Sequence, residues 1–558
     1  MGERMKRIEA FHRKLNMSEL NNPFSEFDAP HAVGIGFVDA YRYAMHTLGF
    51  QYLYHRINQE PDFAGLRFYL PPMDIQKACE ESGTYLLTQE CNREVRSLGL
   101  LFLSVNYEPN LLNLFRMLEL AGIPFAPEQR EQAIIVGGIA PSYNPRLYAA
   151  FADAVVLGEA ENAMGGMLDA YRGAEGKDAF LAALAGIPGV YVYSHHGDMK
   201  RCRAPIADIH EPSFETIVSS ETKYPNCAFV EVARGCHNHC RFCILGTIFR
   251  RMRFVDADHI LSMATRLREH TDSIRLIAAA ENEHPEIDRI YAGLRDLGFS
   301  FVVKSLRADL LDDRLMDFYH DIGLDAMTIA PEAGDDELRG YINKSITDDE
   351  IMRTVEGVKR HGIRKLTLYM IIGFTTDYEQ ELDSIIGLVD RILASLKESS
   401  HDHVLDICLN SHIKKPHTMF ETDPQIPLDT YRDAIDAMRE RYRGEGNVSV
   451  CGIDLFLYAL EAIMVRGEAD DLRKVHDFWK ANRVDLDIEH LRLFFDDELD
   501  SYFHGKRILH WKQFDMGVTD GHIQREAERA KDGVETPSCM KACSACGACP
   551  TADHHACH

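Results

Sequence analysis

Residues 229–254, FVEVARGCHNHCRFCILGTIFRRMRF, constrain this chain more than any other stretch. An apolar, strand-like run ends in Gly235 and opens at once into Cys236, Cys240 and Cys243. Three thiolates spaced Cys-x3-Cys-x2-Cys on one short loop hold three irons of a four-iron four-sulfur (4Fe-4S) cluster and leave the fourth iron open to a small molecule. Phe242, just before the last cysteine, adds an aromatic face on which an adenine would stack. A zinc knot is the competing reading, because zinc normally takes four ligands and His237 or His239 would supply the fourth. A set of buried free cysteines is the blander one. The position of the triplet, after a strand at the head of a long alternating β/α region, favours the cluster.

At 558 residues the chain has room for about three or four domains. Lys plus Arg is 61 against Asp plus Glu 87, a net charge of -26, so a surface that tracks phosphates is not expected and nucleic acid is an unlikely partner. Arg250, Arg251 and Arg253 are the local exception. Of the 14 cysteines, seven sit in two tight clusters, which is unlike a secreted disulfide scaffold and points to a reducing compartment. The first residues are charged without an apolar core, and no stretch reaches the ~20 apolar residues that span a membrane, so a cytoplasmic protein is expected. A cluster with an open iron also favours an anaerobic host.

Residues 1–31 read as a helical lead-in. From Ala32 to about residue 172, apolar runs alternate with helical segments: AVGIGFVD, LGLLFLSV, AIIVGG and AVVLGE. This pattern predicts a Rossmann-like, doubly wound parallel sheet. Ser104, Asn106, Gly137, Gly138, Gly158 and Glu159 fall at the carboxyl ends of the predicted strands, where open α/β sheets bind ligands. Residues 173–225 read as a connector, in which His195 and His196 are more simply solvated than metal-bound.

Residues 226–425 carry six strand-like segments separated by helices: FVEVARG, SIRLIAAA, FVVKSLR, DAMTIAPE, KLTLYMIIG and VLDICLNS. Six β/α units make a partial parallel barrel with its site at the strands' carboxyl ends. That rule selects the cysteine loop, then Glu281 and Asn282, Ser305 and Arg307, Glu332 and Gly334, Gly373, and Asn410 and His412. Residues 426–535 are amphipathic and mostly helical; Trp479 and Trp511 lie there as core residues. Residues 536–558 form a Cys-rich tail in which Cys539, Cys543, Cys546 and Cys549 would bind a second iron-sulfur cluster or a zinc.

The cysteine triplet with its preceding Phe242 resembles the radical S-adenosylmethionine (SAM) superfamily. The segment GGIAPSYNP followed by DAVVLGEAENA resembles landmarks of the branch with an N-terminal cobalamin-binding-type domain: Gly137, Gly138, Asn144, Pro145, Asp153, Gly158, Glu159 and Glu161. The Asp-x-His-x-x-Gly motif that supplies a cobalt-ligating histidine elsewhere is absent. SLRADLL, TIAPEAGDDELRGYINKSI, LTLYMIIGFTTD, KKPHTMFE and the segment LHWKQFDMGVTDGHIQREAERAKDG extend the resemblance from about Ala32 to Pro550. It implies SAM on the open iron, with Phe242, Glu281, Ser305, Arg307, Glu332 and Gly373 as its contacts, and an electron donor such as ferredoxin or flavodoxin. It further implies cobalamin at the N-terminal sheet and methyl transfer to an unactivated sp3 carbon of a peptide or protein. A glutamine of methyl-coenzyme M reductase is a concrete candidate substrate. Tyr369 or Tyr107 would serve as a proton shuttle or metal ligand at the barrel mouth. A cobalamin-free radical enzyme performing sulfur insertion or ring formation, and a non-catalytic electron carrier or zinc-stabilised scaffold, are the alternatives.

Overall fold

The computed structural model describes residues 2–548 apart from 197–208, 210–213, 251, 304, 506 and 507. Cys549, Arg251 and the residues beyond 549 therefore lie outside the described residues, as do the side chains of His196 and Ser305.

The N-terminal domain is a six-stranded sheet. Its strands are β1 (His31–Phe37), β2 (Phe63–Tyr69), β3 (Leu100–Ser104), β4 (Ala133–Gly137), β5 (Ala154–Val156) and β6 (Val190–Val192), in the order β2-β1-β3-β4-β5-β6. All neighbours are parallel except β5 and β6. Strands β2, β3 and β5 are buried along their whole length, as near-continuous apolar runs in a sheet covered on both faces must be. The chain leaves β1 first to one side and then to the other, so a crevice opens at the carboxyl ends of β1 and β3. The register places Phe37 beside Ser104 and Ser104 beside Gly137, bringing the strand ends level.

The second α/β unit is a partial barrel. Its strands are β7 (Cys227–Glu231), β8 (Ser273–Ile277), β9 (Ser300–Phe301), β10 (Ser305–Leu306), β11 (Ala326–Glu332), β12 (Lys365–Ile372) and β13 (Val404–Ser411), with helices Ala257–Leu267, Ile287–Asp296, Asp313–Asp321, Asp348–Arg360 and Tyr378–Lys397 between successive units. All pairings are parallel. The third predicted strand is interrupted: its first half pairs with β8 and its second with β11, which splits the arc into two sheets. Along β12 and β13 buried residues alternate with half-exposed ones. The buried set, Leu366, Leu368, Met370 and Ile372 with Leu405, Ile407 and Leu409, packs into the main core; the other set faces the barrel lumen. A strand absent from the sequence reading, β14 (Val448–Cys451), extends this sheet beside β13.

The region after β14 is helical, and its helix Leu455–Val465 is buried nearly all round. It lies against the short turn Glu108–Asn110 of the N-terminal domain and fastens the two units together. Leu460, Ile463, Met464 and Val465 are fully buried, each worth about 1.5–3 kcal/mol relative to exposure. Trp479 lies flat against His476, and Trp511 is fully buried with its indole N–H donating to Glu421 Oε2 at 2.8 Å. Among the described residues no helix is long and apolar enough to cross a membrane.

Candidate active site

The cysteine loop leaves β7 through Gly235, at φ +85°, and returns over itself at Gly246. A Cβ on Gly246 would stand 2.7 Å from the Asn238 carbonyl oxygen, so the loop closes only with glycine there. Burial pushes the Cys236 thiol up to about 12 and the Cys240 thiol up to about 11. Against that, the cations Lys344 and Arg307 act on Cys240, and Cys243 acts on Lys415. Three half-buried thiols, two of them beside fixed cations, fit the donor set of an iron-sulfur cluster, whose thiolate ligands bring negative charge. Phe242 packs against Phe374, with ring centres 5.3 Å apart, and its ring meets that of His412 edge-on.

Beside the loop, the lumen holds a cavity lined by Arg307, Glu332, Lys344, Tyr369, Ile371 and Asn410 among others. Four of the predicted residues, Arg307, Glu332, Tyr369 and Asn410, thus share one space. Glu332 reaches it because the register slips at the end of β11 and its φ is +68°; its carboxylate accepts from Lys344 Nζ at 3.1 Å. Arg307 pairs with Asp309 at 2.7 Å and with Glu283 at 3.3 Å. Tyr369 is 38% exposed. Gly373, at φ +102°, donates its N–H to Glu381 Oε2 at 2.6 Å, and Phe374 N–H donates to the same oxygen at 3.2 Å. Glu381 therefore fixes the turn at the β12 exit, next to Phe242. The Gly373 carbonyl accepts from buried Lys414, whose Nζ is 2.8 Å from His412 Nδ1; burial lowers Lys414 to about 7.

Other predicted residues fall elsewhere. Glu281 is buried, accepts from the Tyr291 hydroxyl at 3.0 Å and is pushed up to about 7 by burial; it does not line the lumen cavity. Tyr107 sits at the junction with the helical region, where burial, followed by the Glu461 carboxylate it hydrogen-bonds, raises its pKa. The basic run is used internally: Arg250 bonds the Gly246 carbonyl and His522, and Arg253 grips Glu159. His195 is exposed beside Ser194.

At the N-terminal crevice, Ser104, Asn106, Gly137, Gly138, Gly158 and Glu159 line one cavity. Gly138 has φ +124° and a Cβ there would lie 2.2 Å from the Val105 carbonyl oxygen, so its glycine is demanded by the backbone itself. Glu159 spends its carboxylate on Arg253, at 2.8 Å to Nη1, as an interdomain ion pair. Glu231, Arg234 and Phe249, which flank the cysteine loop, close the far wall of the same cavity.

The tail docks on that loop. Cys539 donates its N–H to the His237 carbonyl at 3.0 Å, and its Sγ lies 3.0 Å from His239 Nε2. Asn343 donates to the carbonyls of His239 and Thr536, both at 3.0 Å, and accepts the Thr536 N–H at 2.8 Å. Cys546 is buried and Cys543 exposed. Among the described residues no three His, Cys, Asp or Glu side chains converge as ligands of one metal ion.

Residues 49–192 match the N-terminal domain of radical SAM proteins, and residues 230–389, which contain the cysteine loop and most of the barrel, match the radical SAM superfamily domain. The chain belongs to the radical SAM superfamily. An uncharacterised protein of Methanocaldococcus jannaschii is 26% identical over 347 residues, covering 61% of this chain and 72% of that protein. The radical SAM methyltransferase TsrM of Kitasatospora setae shares 12% identity at a TM-score of 0.47, over 68% of this chain and 72% of its own. The cobalamin-dependent SAM radical enzyme OxsB shares 13% identity at a TM-score of 0.46, over 91% and 80%. Membership of the radical SAM superfamily implies a four-iron four-sulfur cluster and SAM.

Proposed function

We propose that this protein is a cobalamin-dependent radical SAM C-methyltransferase, acting in the cytoplasm of an anaerobic host on an sp3 carbon of a peptide or protein. The observation that carries the reading is the shared cavity between the domains: the strand ends Ser104, Gly137 and Gly158 form one wall, and Glu231, Arg234 and Phe249 beside the cysteine loop form the other. A large, flat cofactor seated there would meet the barrel mouth. When bound, the cluster supplies an electron to SAM and cobalamin supplies the methyl group.

The chain's own residues then have separate tasks. Cys236, Cys240 and Cys243 hold the cluster, with Lys344, Arg307 and Lys415 offsetting its charge. Phe242 and the backbone at Gly373 and Phe374 cover the adenine of SAM. Glu332 accepts from its α-ammonium, while Arg307 and Lys344 meet its α-carboxylate. Ser305, at the start of β10, completes the proposed set of SAM contacts. Tyr369 presents its hydroxyl to the lumen, where burial raises its pKa and keeps it protonated. The tail, Cys539, Cys543, Cys546 and Cys549, takes a second iron-sulfur cluster or a zinc. A ferredoxin or flavodoxin delivers the electron.

The test is protein purified without oxygen and reconstituted with iron, sulfide and hydroxocobalamin, assayed for metal content and visible spectrum. Near-stoichiometric cobalt with about eight irons, the sum for two clusters, supports methyl transfer. Methylation of peptides, including one spanning a glutamine of methyl-coenzyme M reductase, is then followed by mass spectrometry. Iron without retained cobalt overturns the methyltransferase reading in favour of a cobalamin-free radical enzyme.

A further inference from the structure

Two cysteines that neither metal site uses meet in the barrel lumen. Cys408 on β13 and Cys451 on β14 are register partners across a parallel strand pair. Their Sγ atoms are 2.7 Å apart. Adjacent strands lie about 4.8 Å apart, inside the range of about 4.4–6.8 Å between Cα atoms that a disulfide bridges. The register also pairs Cys408 with Tyr369 of β12, so Tyr369, Cys408 and Cys451 stand abreast on three neighbouring strands.

All three point to the lumen. Next to Cys408, buried Ile407 and Leu409 face the core. One layer deeper, Ser449 donates to Asp406 at 2.6 Å, which fixes the same face for the row below. One layer nearer the mouth, Asn410 lines the cavity with Arg307 and Glu332. Two residues along a strand span about 6.6 Å, so the thiols lie a single side-chain layer beneath that cavity. Cys451 is exposed and Cys408 half-buried. Of the remaining described cysteines outside the two clusters, Cys91 lies against the Thr88 hydroxyl and Cys227 donates to the Ala228 carbonyl.

We propose that Cys408 and Cys451 form a redox-active dithiol in the barrel lumen, which a small-molecule disulfide converts into a cross-strand disulfide beside Tyr369. Cys451 reacts first because it is the exposed sulfur; burial and the neighbouring Cys451 push the Cys408 thiol up to about 12, which leaves little thiolate to open the exchange. Cys451 Sγ attacks one sulfur of the small disulfide, whose S–S bond breaks and releases one small thiol carrying the proton from Cys451. Cys408 Sγ then attacks the Cys451 sulfur, and the second small thiol leaves with the proton from Cys408. Two electrons pass from the cysteine pair to the small disulfide. The product ties the edge strand β14 to β13 and removes two S–H groups, which are hydrogen-atom donors, from the lumen.

This site is independent of the methyltransferase reading. The full-length protein with its iron-sulfur centres reconstituted is incubated anaerobically with oxidised glutathione, then denatured in iodoacetamide and digested without reductant. Mass spectrometry is expected to find the Cys408 and Cys451 peptides joined, two hydrogens lighter than the sum of their thiol forms, and separated by dithiothreitol. Recovery of both cysteines alkylated, or of glutathione retained on each, overturns the proposal. In Cys408→Ser the exchange should stop halfway, with one glutathione on Cys451. Failure to form that adduct overturns the assigned order of attack, and the wild-type mapping stands whether or not the variant folds.

Discussion

At the scale of single residues, Glu281 shows how burial decides a role. Its carboxyl lies at the end of a barrel strand, where position alone would make it a ligand, yet it turns outward to the Tyr291 hydroxyl. Its pKa of about 7 in the fold against an ordinary 4.5 gives a definite pH signature. A raised folded pKa means that the group's contribution to stability is complete below about pH 4.5 and is lost as the pH climbs to about 7. Glu281→Gln keeps an acceptor for Tyr291 and removes the charge. It should therefore leave stability near pH 4.5 almost unchanged and raise it at pH 8 by about 3 kcal/mol, given about 1.4 kcal/mol per unit. Melting curves of both proteins across this range test it, and parallel curves would contradict it. Strand periodicity told where along the chain the lumen residues fall, but not which way each side chain turns after its strand ends. Glu332, with the same residue type and strand-end position, enters the cavity because of a register slip and a positive φ, and neither is written in residue type.

At the scale of elements, the cysteine loop and the strands around it were legible because their signals are local: a tight triplet, and apolar runs of strand length. The edge strand β14 was not, since four residues inside a helical stretch give no periodicity to read. Of the cations that face the loop, Arg307 was read from its strand-end position, whereas Lys344 was out of reach because it lies beyond the end of its strand, in a different β/α unit from the loop. Lys344 and Arg307 together lower the cost of thiolate at Cys240. Lys344→Met should make the bound cluster harder to reduce by on the order of 50 mV, equivalent to about 1 kcal/mol for one electron, as read by an electron-paramagnetic-resonance redox titration. An unchanged potential would show that solvent, not Lys344, balances the charge. In the N-terminal sheet Gly138 is equally specific. Gly138→Ala forces a Cβ against the Val105 carbonyl at a φ unfavourable to alanine and should cost roughly 2–3 kcal/mol, with urea denaturation as the check.

At the scale of the whole molecule, the arrangement that no local pattern announces is the return of the tail to the cysteine loop across some 300 residues of chain. The sequence marks both segments as metal-binding and says nothing of their contact. The contact is polar and buried: Asn343 satisfies the His239 and Thr536 carbonyls and the Thr536 N–H at once, and Arg241 bonds the Val534 carbonyl and the Glu526 carboxylate. Losing one partner of such a network leaves buried groups unsatisfied at about 1–3 kcal/mol each. A chain ending at Gly533 should therefore keep its fold and lose its grip on the barrel cluster, because the His237 carbonyl and the His239 ring would lose Cys539, and Asn343, which holds the His239 carbonyl, would lose Thr536, all within the loop proposed to hold the irons. The measurement is the rate at which a chelator strips the cluster whose spectrum responds to SAM, which is expected to rise several-fold. Asn343→Ala, with the tail intact, separates the docking contact from any metal the tail carries. It should raise the same rate to an intermediate value if docking steadies the loop, and a wild-type rate in both variants would show that the loop holds its cluster without the tail.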